Sequence, residues 1–409
     1  MTQAQPQHDD DEPDARCGGM APRLVLASVT ACIGMGQSSI YIILPPLART
    51  IGLSEIETGA IVSASAVIFA LASSCWGRMI DRYGARRVLL IGLLGYSAGT
   101  MGFGLAAEAS TAALMSTQIA FYALALSRMI HAAIGAGSYP AAMTVMAGIT
   151  PPQQRTSGMA ALGAGFNTGL LAGPAICALA APFGFGFPLF AMALMSVATM
   201  LLCSYLIQAQ QTAPARSSDG AASGAQWLLI LSVLQFGVIS GMQQVIGFMF
   251  QDRFSLSPLE TVSAIGVALG VTAICSLAVQ GALSRAPSLD PANVLDLGFV
   301  CVLLGLLLIG FGASQWIASA GIIAMGVGNG LTAAGINGRA SLIAGARQGA
   351  VAGRLGSARA LGFIIGPIGM TTAYQSSAIL PFLIGSLLIA AMLCGNRFRD
   401  KPRLDLPPK

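Results

Sequence analysis

Twelve stretches of roughly twenty apolar residues, joined by short polar links, limit this chain to very few folds. A helix rises about 1.5 Å per residue, so a run of that length crosses the hydrocarbon core of a bilayer. Inside lipid, each backbone N–H and C=O must be satisfied by the protein itself, which leaves helices or closed barrels. Runs this long and this continuously apolar predict helices. They lie near 23–44, 56–76, 88–107, 118–148, 156–181, 188–208, 227–250, 259–283, 293–313, 316–343, 350–374 and 378–395. Only 9% of the 409 residues are charged, too few to coat a soluble domain. The 50 glycines would weaken soluble helices, but in a membrane they let helices pack closely. The expected fold class is therefore an all-α integral membrane protein of twelve transmembrane helices.

One polar stretch, QAQQTAPARSSDGAASGAQ at 208–226, has the small and flexible character of a linker. It divides the spans into two sets of six, 23–208 and 227–395, around a linker at 209–226. Residues 1–22 form an acidic tail, expected to be disordered, without the basic start and apolar core of a signal peptide. Residues 396–409 form a basic tail. The halves repeat one another. LSEIET (53–58) and LSPLET (256–261) follow the first span of each half, 203 residues apart, and GLLAGP (169–174) is matched by GFIIGP (362–367). Two pseudo-symmetric six-helix bundles, related by an axis along the membrane normal, are an architecture of transporters.

Charge sets the expected orientation. Fifteen of the 21 basic residues fall on one side: Arg16, Arg23, four between 78 and 87, Arg155, Arg216, Arg285, Arg347 and five from Arg397 onward. The other side holds two, Arg49 and Arg253. By the positive-inside rule the first side, with both termini, faces the cytoplasm, and the chain sits in the cell inner membrane. A net charge of +5 without a basic stripe and interleaved aromatics excludes nucleic acid as a partner. The eight cysteines form no CxxC pair, so neither a disulfide framework nor a zinc site is expected, and buried thiols are. Two histidines, one in the tail, and no mid-span carboxylate leave nothing from which to build an enzyme site.

The densest charge is GRMIDRYGARRVLL, 77–90, in the link between spans two and three. Its pattern G-x-x-x-D-R-x-G-x-R-R, carried by Gly77, Asp81, Arg82, Gly84, Arg86 and Arg87, resembles the signature loop of the major facilitator superfamily, although Ala85 stands where a basic residue is usual. The resemblance implies that fold, and a cytoplasmic gate in which Asp81 latches the halves near the start of span eleven, where Arg354 is a partner and a helix dipole favours negative charge. The two glycines are expected to allow a tight link with close backbone approach.

LALSR (124–128), with Pro140 and Arg155 further on, resembles the span-four motif of the superfamily. That implies a coupling role for Arg128 facing a central cavity, although His131, Ala132 and Ile134 replace the usual glutamine and glycines. GFNTGLLAGPAICA (165–178) resembles the antiporter motif of its exporters through Gly165, Gly169, Gly173 and Pro174, with Cys177 and Ala178 closing it. Glycines at this spacing make a flat face for helix contact, and Pro174 bends the helix.

Buried Arg128, His131 and Arg359 are expected to line the cavity and favour anions, since guanidinium forks match carboxylates. Gln37, Gln243, Gln244 and Asn329 would add neutral hydrogen bonds. The expected function is proton-coupled export of a small organic molecule, with an anionic metabolite such as a carboxylate-type siderophore as substrate. The alternatives are a multidrug efflux pump and an importer of a small organic acid or other metabolite. No cofactor is expected beyond the proton gradient; the partners are the substrate and the lipid bilayer, and the carrier works as a monomer.

Overall fold

A computed structural model describes residues 20–150, 155–207, 226–285, 290–344 and 348–400. It is built of helices, with no strand among the described residues. In chain order these are α1 (Met20–Ile51), α2 (Glu55–Tyr83), α3 (Ala85–Thr111), α4 (Thr117–Gly135), α5 (Ser138–Ile149), α6 (Arg155–Ala180), α7 (Gly186–Leu206), α8 (Gln226–Phe254), α9 (Pro258–Arg285), α10 (Pro291–Phe311), α11 (Gln315–Ala344), α12 (Gln348–Ser376) and α13 (Leu380–Asp400). The chain is a multi-pass integral membrane protein.

Span four is divided into α4 and α5. Pro140 lacks an N–H and its ring crowds the carbonyl four residues back, at Ala136, where α4 gives way to α5. The two halves together still make one 33-residue crossing. Among the described residues 11 crossings are long and apolar enough to span. The twelfth path, α12, has 29 residues but carries Arg354 and Arg359 in its first half.

Both LSxxET repeats are helix starts. Ser54 Oγ accepts from Glu57 N–H at 3.2 Å, and Glu57 Oε2 accepts from Ser54 N–H at 2.8 Å. Ser257 and Glu260 repeat this at 3.3 and 2.8 Å, opening α9 as the first pair opens α2. Each box satisfies backbone donors that a helix start leaves orphaned. The second matched pair sets helix contacts. Gly165, Gly169 and Gly173 of α6 lie against the α1 backbone at Ala27, Ala31 and Met35. Gly362 and Gly366 of α12 lie in the same way against Val233 and Gly237 of α8. A side chain at these positions would enter the neighbouring backbone.

Two boundaries differ from expectation. α1 runs through Pro45 and Pro46 to Ile51, past the expected end near 44. Prolines are tolerated in membrane helices because neighbours satisfy the freed groups. α13 runs to Asp400, so residues 396–400 of the expected tail are helical. Asn396 donates to Asp296 at 2.8 Å and Arg397 pairs with it at 3.0 Å, tying this end to α10. Residues 1–19, most of the expected 209–226 linker, and residues 401–409 lie outside the described set. Cys32, Cys177 and Cys203 are buried, but Cys75 and Cys394 are exposed, contrary to expectation; an apolar thiol is at no disadvantage facing lipid.

Candidate functional site

Helices of the first half meet those of the second along α1·α8, α2·α12 and α6·α9. The two long seams mirror each other. Pro367 O of α12 faces Gly59 of α2, and Pro174 O of α6 faces Gly266 of α9. Ile368 N–H also donates to Ser63 Oγ at 3.2 Å. Near the ends of α1 and α8, Gly247 leaves room for Pro45: a Cβ there would lie 2.6 Å from the proline ring.

Beyond that contact stands a charged clamp. Arg49, at the end of α1, reaches Asp252, at the end of α8, through two hydrogen bonds of 2.7 and 2.9 Å. Glu55 of α2 takes a third bond from the same guanidinium at 2.7 Å. Tyr374 of α12 donates its hydroxyl to Asp252 at 2.5 Å. Phe248 lies under the Arg49 guanidinium, 5.2 Å from its centre. A planar fork matched to a carboxylate gives this closure its geometry. The pair is about one-third exposed on each side, 33% and 37%, so solvent weakens it.

The opposite end, with the 77–90 stretch, is arranged differently. Gly84 alone links α2 to α3, at φ +86°, a region glycine enters without strain. Asp81, Arg82 and Arg87 are exposed. Arg82 stacks on neighbouring Tyr83 at 5.4 Å, and Arg86 donates to Ser204 O of α7 at 2.6 Å. Arg354 is exposed, and no ion pair joins it to Asp81 among the described residues. A Cβ on Gly77 would meet nothing within 4 Å, so the close backbone approach expected there is not present. The named seams between the halves lie toward the Arg49 end, and among the described residues no part of the second half stands against Gly77 or pairs with Asp81 here.

A cavity of about 510 Å³ lies between the halves. Ser38 and Asn167 line it from the first half, and Gln243, Thr272, Ser276, Asn329 and Asn337 from the second. Leu170, Ile239, Leu269, Ile322 and Met325 supply apolar wall. The lining is neutral, which corrects the expected arginine-lined wall. Arg128 and His131 instead border a space of about 20 Å³ within the first half, with Gly36 and Thr100. His131 lies 3.2 Å from Thr100 Oγ1, and its ring packs 4.6 Å from that of Tyr96. Gly99 causes this placement: a Cβ there would lie 2.6 Å from His131, so its absence lets α4 press onto α3 and turns His131 inward. Gln37 is half-buried on α1 and Gln244 fully buried on α8; neither lines the cavity.

Arg359 sits one layer behind the wall. It donates to Asn337 Oδ1 at 2.6 Å and stacks on Phe236 at 5.2 Å. Gln235, fully buried on α8, donates to Asn329 Oδ1 at 3.0 Å and to Thr332 Oγ1. Sequence reasoning passed over Gln235, Asn167, Thr272 and Ser276. It also passed over the Arg49 clamp, for which a signal existed: Arg49 and Asp252 are 203 residues apart, the spacing of the LSxxET repeats. They occupy one register in two halves related by an axis, so they meet across it.

A cavity between two helical halves, clamped at one end by side chains from both, is the arrangement of a membrane carrier. A profile of the Major Facilitator Superfamily matches residues 26–367, and the chain belongs to that superfamily. It is a transporter, not an enzyme. Multidrug resistance protein 2 of Bacillus subtilis (strain 168) is 23% identical over 386 residues, covering 90% of this chain and 92% of that protein. The class D tetracycline resistance protein of Salmonella ordonez is 26% identical over 396 residues, covering 91% and 95%. Among solved structures, the human organic anion transporter MFSD10 (TETRAN) superposes with a TM-score of 0.64 at 19% identity, covering 94% of this chain and 100% of that one.

Proposed function

We propose that this transporter exports a small organic molecule from the cytoplasm, driven by protons, by rocking residues 23–208 against 227–395. The observation that carries the reading is the contrast between its ends: a cavity closed by Arg49, Asp252 and Tyr374 at one, with Asp81 and Arg354 apart at the other. The charge count assigns the arginine-rich end to the cytoplasm. In that orientation the cavity faces the cytoplasm, the state in which an exporter loads. Relatives named for multidrug and tetracycline resistance support this direction, because a carrier confers resistance by removing the compound. The glycine face of Gly165, Gly169 and Gly173, with Pro174, supports it further through its likeness to the antiporter motif. The carrier works as a monomer in the inner membrane.

The neutral lining moves the substrate away from the strictly anionic class. Small molecules that are uncharged or anionic suit a wall of amides and hydroxyls, with Arg359 behind it. The test is accumulation of a compound panel in cells with and without the protein. Export lowers accumulation of at least one compound, and a protonophore abolishes the difference. A rise in accumulation would instead identify an importer, and a difference that survives the protonophore would remove proton coupling.

A further inference from the structure

Two asparagines of α11 line the cavity eight residues apart, about 12 Å along the helix. The chemistry behind them fixes which way each amide faces. A guanidinium has donors only, so the atom of Asn337 that meets Arg359 at 2.6 Å is its oxygen. Thr332 spends its hydroxyl proton on Gly328 O or Asn329 O, both at 3.0 Å, and therefore accepts from Gln235. That sets Gln235 Nε2 as the donor that also reaches Asn329, again at the oxygen. Both asparagines thus have their acceptor held from behind, and the NH₂ group is what each has left for the cavity. Arg359 is itself fixed by stacking on Phe236, whose ring packs 5.6 Å from Phe363. Between the asparagines the cavity face of α11 consists of Gly330, Ala333 and Ala334, a shallow floor. Among the described residues no carboxylate lines the cavity.

We infer that the central cavity is a donor-faced slot for flat, acceptor-bearing molecules without positive charge, with Asn329 and Asn337 as binding residues and Arg359 and Gln235 as positioning residues that turn them. This rests on the reading of the cavity as the transport site, but not on the direction or coupling of transport. A planar ligand lies on the small-residue floor and presents carbonyl, carboxylate or phenolate oxygens to the two NH₂ groups. A planar cation meets donors where it needs acceptors, and each unpaired donor counts against it.

The test is binding to the purified full-length protein of two flat probes of opposite charge, 9,10-anthraquinone-2-carboxylate and ethidium. The expected result is a preference for the carboxylate of at least about tenfold, since hydrogen bonds to a charged acceptor are the stronger class. Asn337→Asp keeps the shape, can pair with Arg359 and removes the donors; it is expected to erase that preference with the melting temperature retained. Arg359→Gln can still donate to Asn337 and is expected to keep the preference within about threefold, whereas Arg359→Leu is expected to lose it. That difference separates turning of the amide from mere attraction by charge. Tighter binding of ethidium by the unaltered protein, an unchanged preference in Asn337→Asp, or no binding of either probe would overturn the inference. Binding as expected without lowered accumulation in cells would overturn export and leave the slot standing; lowered accumulation of cations alone would do the reverse.

Discussion

At the Arg49 end, side chains from α1, α2, α8 and α12 converge on one carboxylate–guanidinium pair. At the Gly77–Arg87 end, more charge is present, yet Asp81, Arg82, Arg87 and Arg354 stand exposed, and none of them pairs with another. The two ends thus differ not only in how much charge they carry but in whether that charge is paired across the halves. Charge closes this molecule only where close packing has already brought the halves together: Gly247 on Pro45, Gly59 on Pro367, Gly266 on Pro174. Where no such seam exists, the same residue types are solvated. Packing sets the distance, and the ion pair then fixes the alignment.

The largest effect is expected from attacking the seam itself. Gly247→Leu puts a side chain into a space where even a Cβ lies 2.6 Å from Pro45, whereas Gly77→Leu enters open space. Overpacking costs about 1–3 kcal/mol. Transport is expected to fall at least about tenfold in the first variant, and labelling of a cysteine put in place of the exposed Thr50 is expected to rise. The Gly77 variant is expected to keep its melting temperature. Equal loss of stability in both would break the comparison.

Next in size is Asp252→Arg, which sets two cations against each other at the closed end. Transport is expected to drop about fivefold, roughly 1 kcal/mol for a pair about one-third exposed. Adding Arg49→Asp should recover most of it; failure of the double exchange would show that the pair is incidental. Tyr374→Phe removes one hydrogen bond to Asp252 and is expected to cost about 0.5–1.5 kcal/mol of closure, read as a two- to tenfold gain in labelling at that end. Smallest in this conformation is Asp81→Asn. Its melting temperature should not move, because Asp81 has no ion pair to lose among the described residues, while turnover slows if the residue acts when that end closes. A lowered melting temperature would mean that Asp81 is already engaged.

Much of the fold could be read before the structure. Long apolar runs have one solution in lipid, and LSxxET is a capping box whatever surrounds it. The spacing of Gly165, Gly169 and Gly173 pointed to a helix contact because glycine has no other use at that density. The cavity was less legible. A helix that is apolar all round has no periodicity to say which face turns inward. Arg128 was assigned to the central cavity through its likeness to the span-four motif, and His131 with it, while Gly99 of α3 decides that His131 faces α3. Arg359 came close, because its side chain reaches the wall only through Asn337. The Arg49 clamp was obscured because span one was expected to end near 44, which left Arg49 in a link, whereas α1 runs to Ile51.

The shared register of positions 49 and 252 bears on how such a molecule can be assembled. A carrier made from a pair of identical halves would set either arginine against arginine or aspartate against aspartate on its axis, and would be pushed open there. This closure therefore requires the halves to be different, and any hybrid built from one half twice would lose it at a single site.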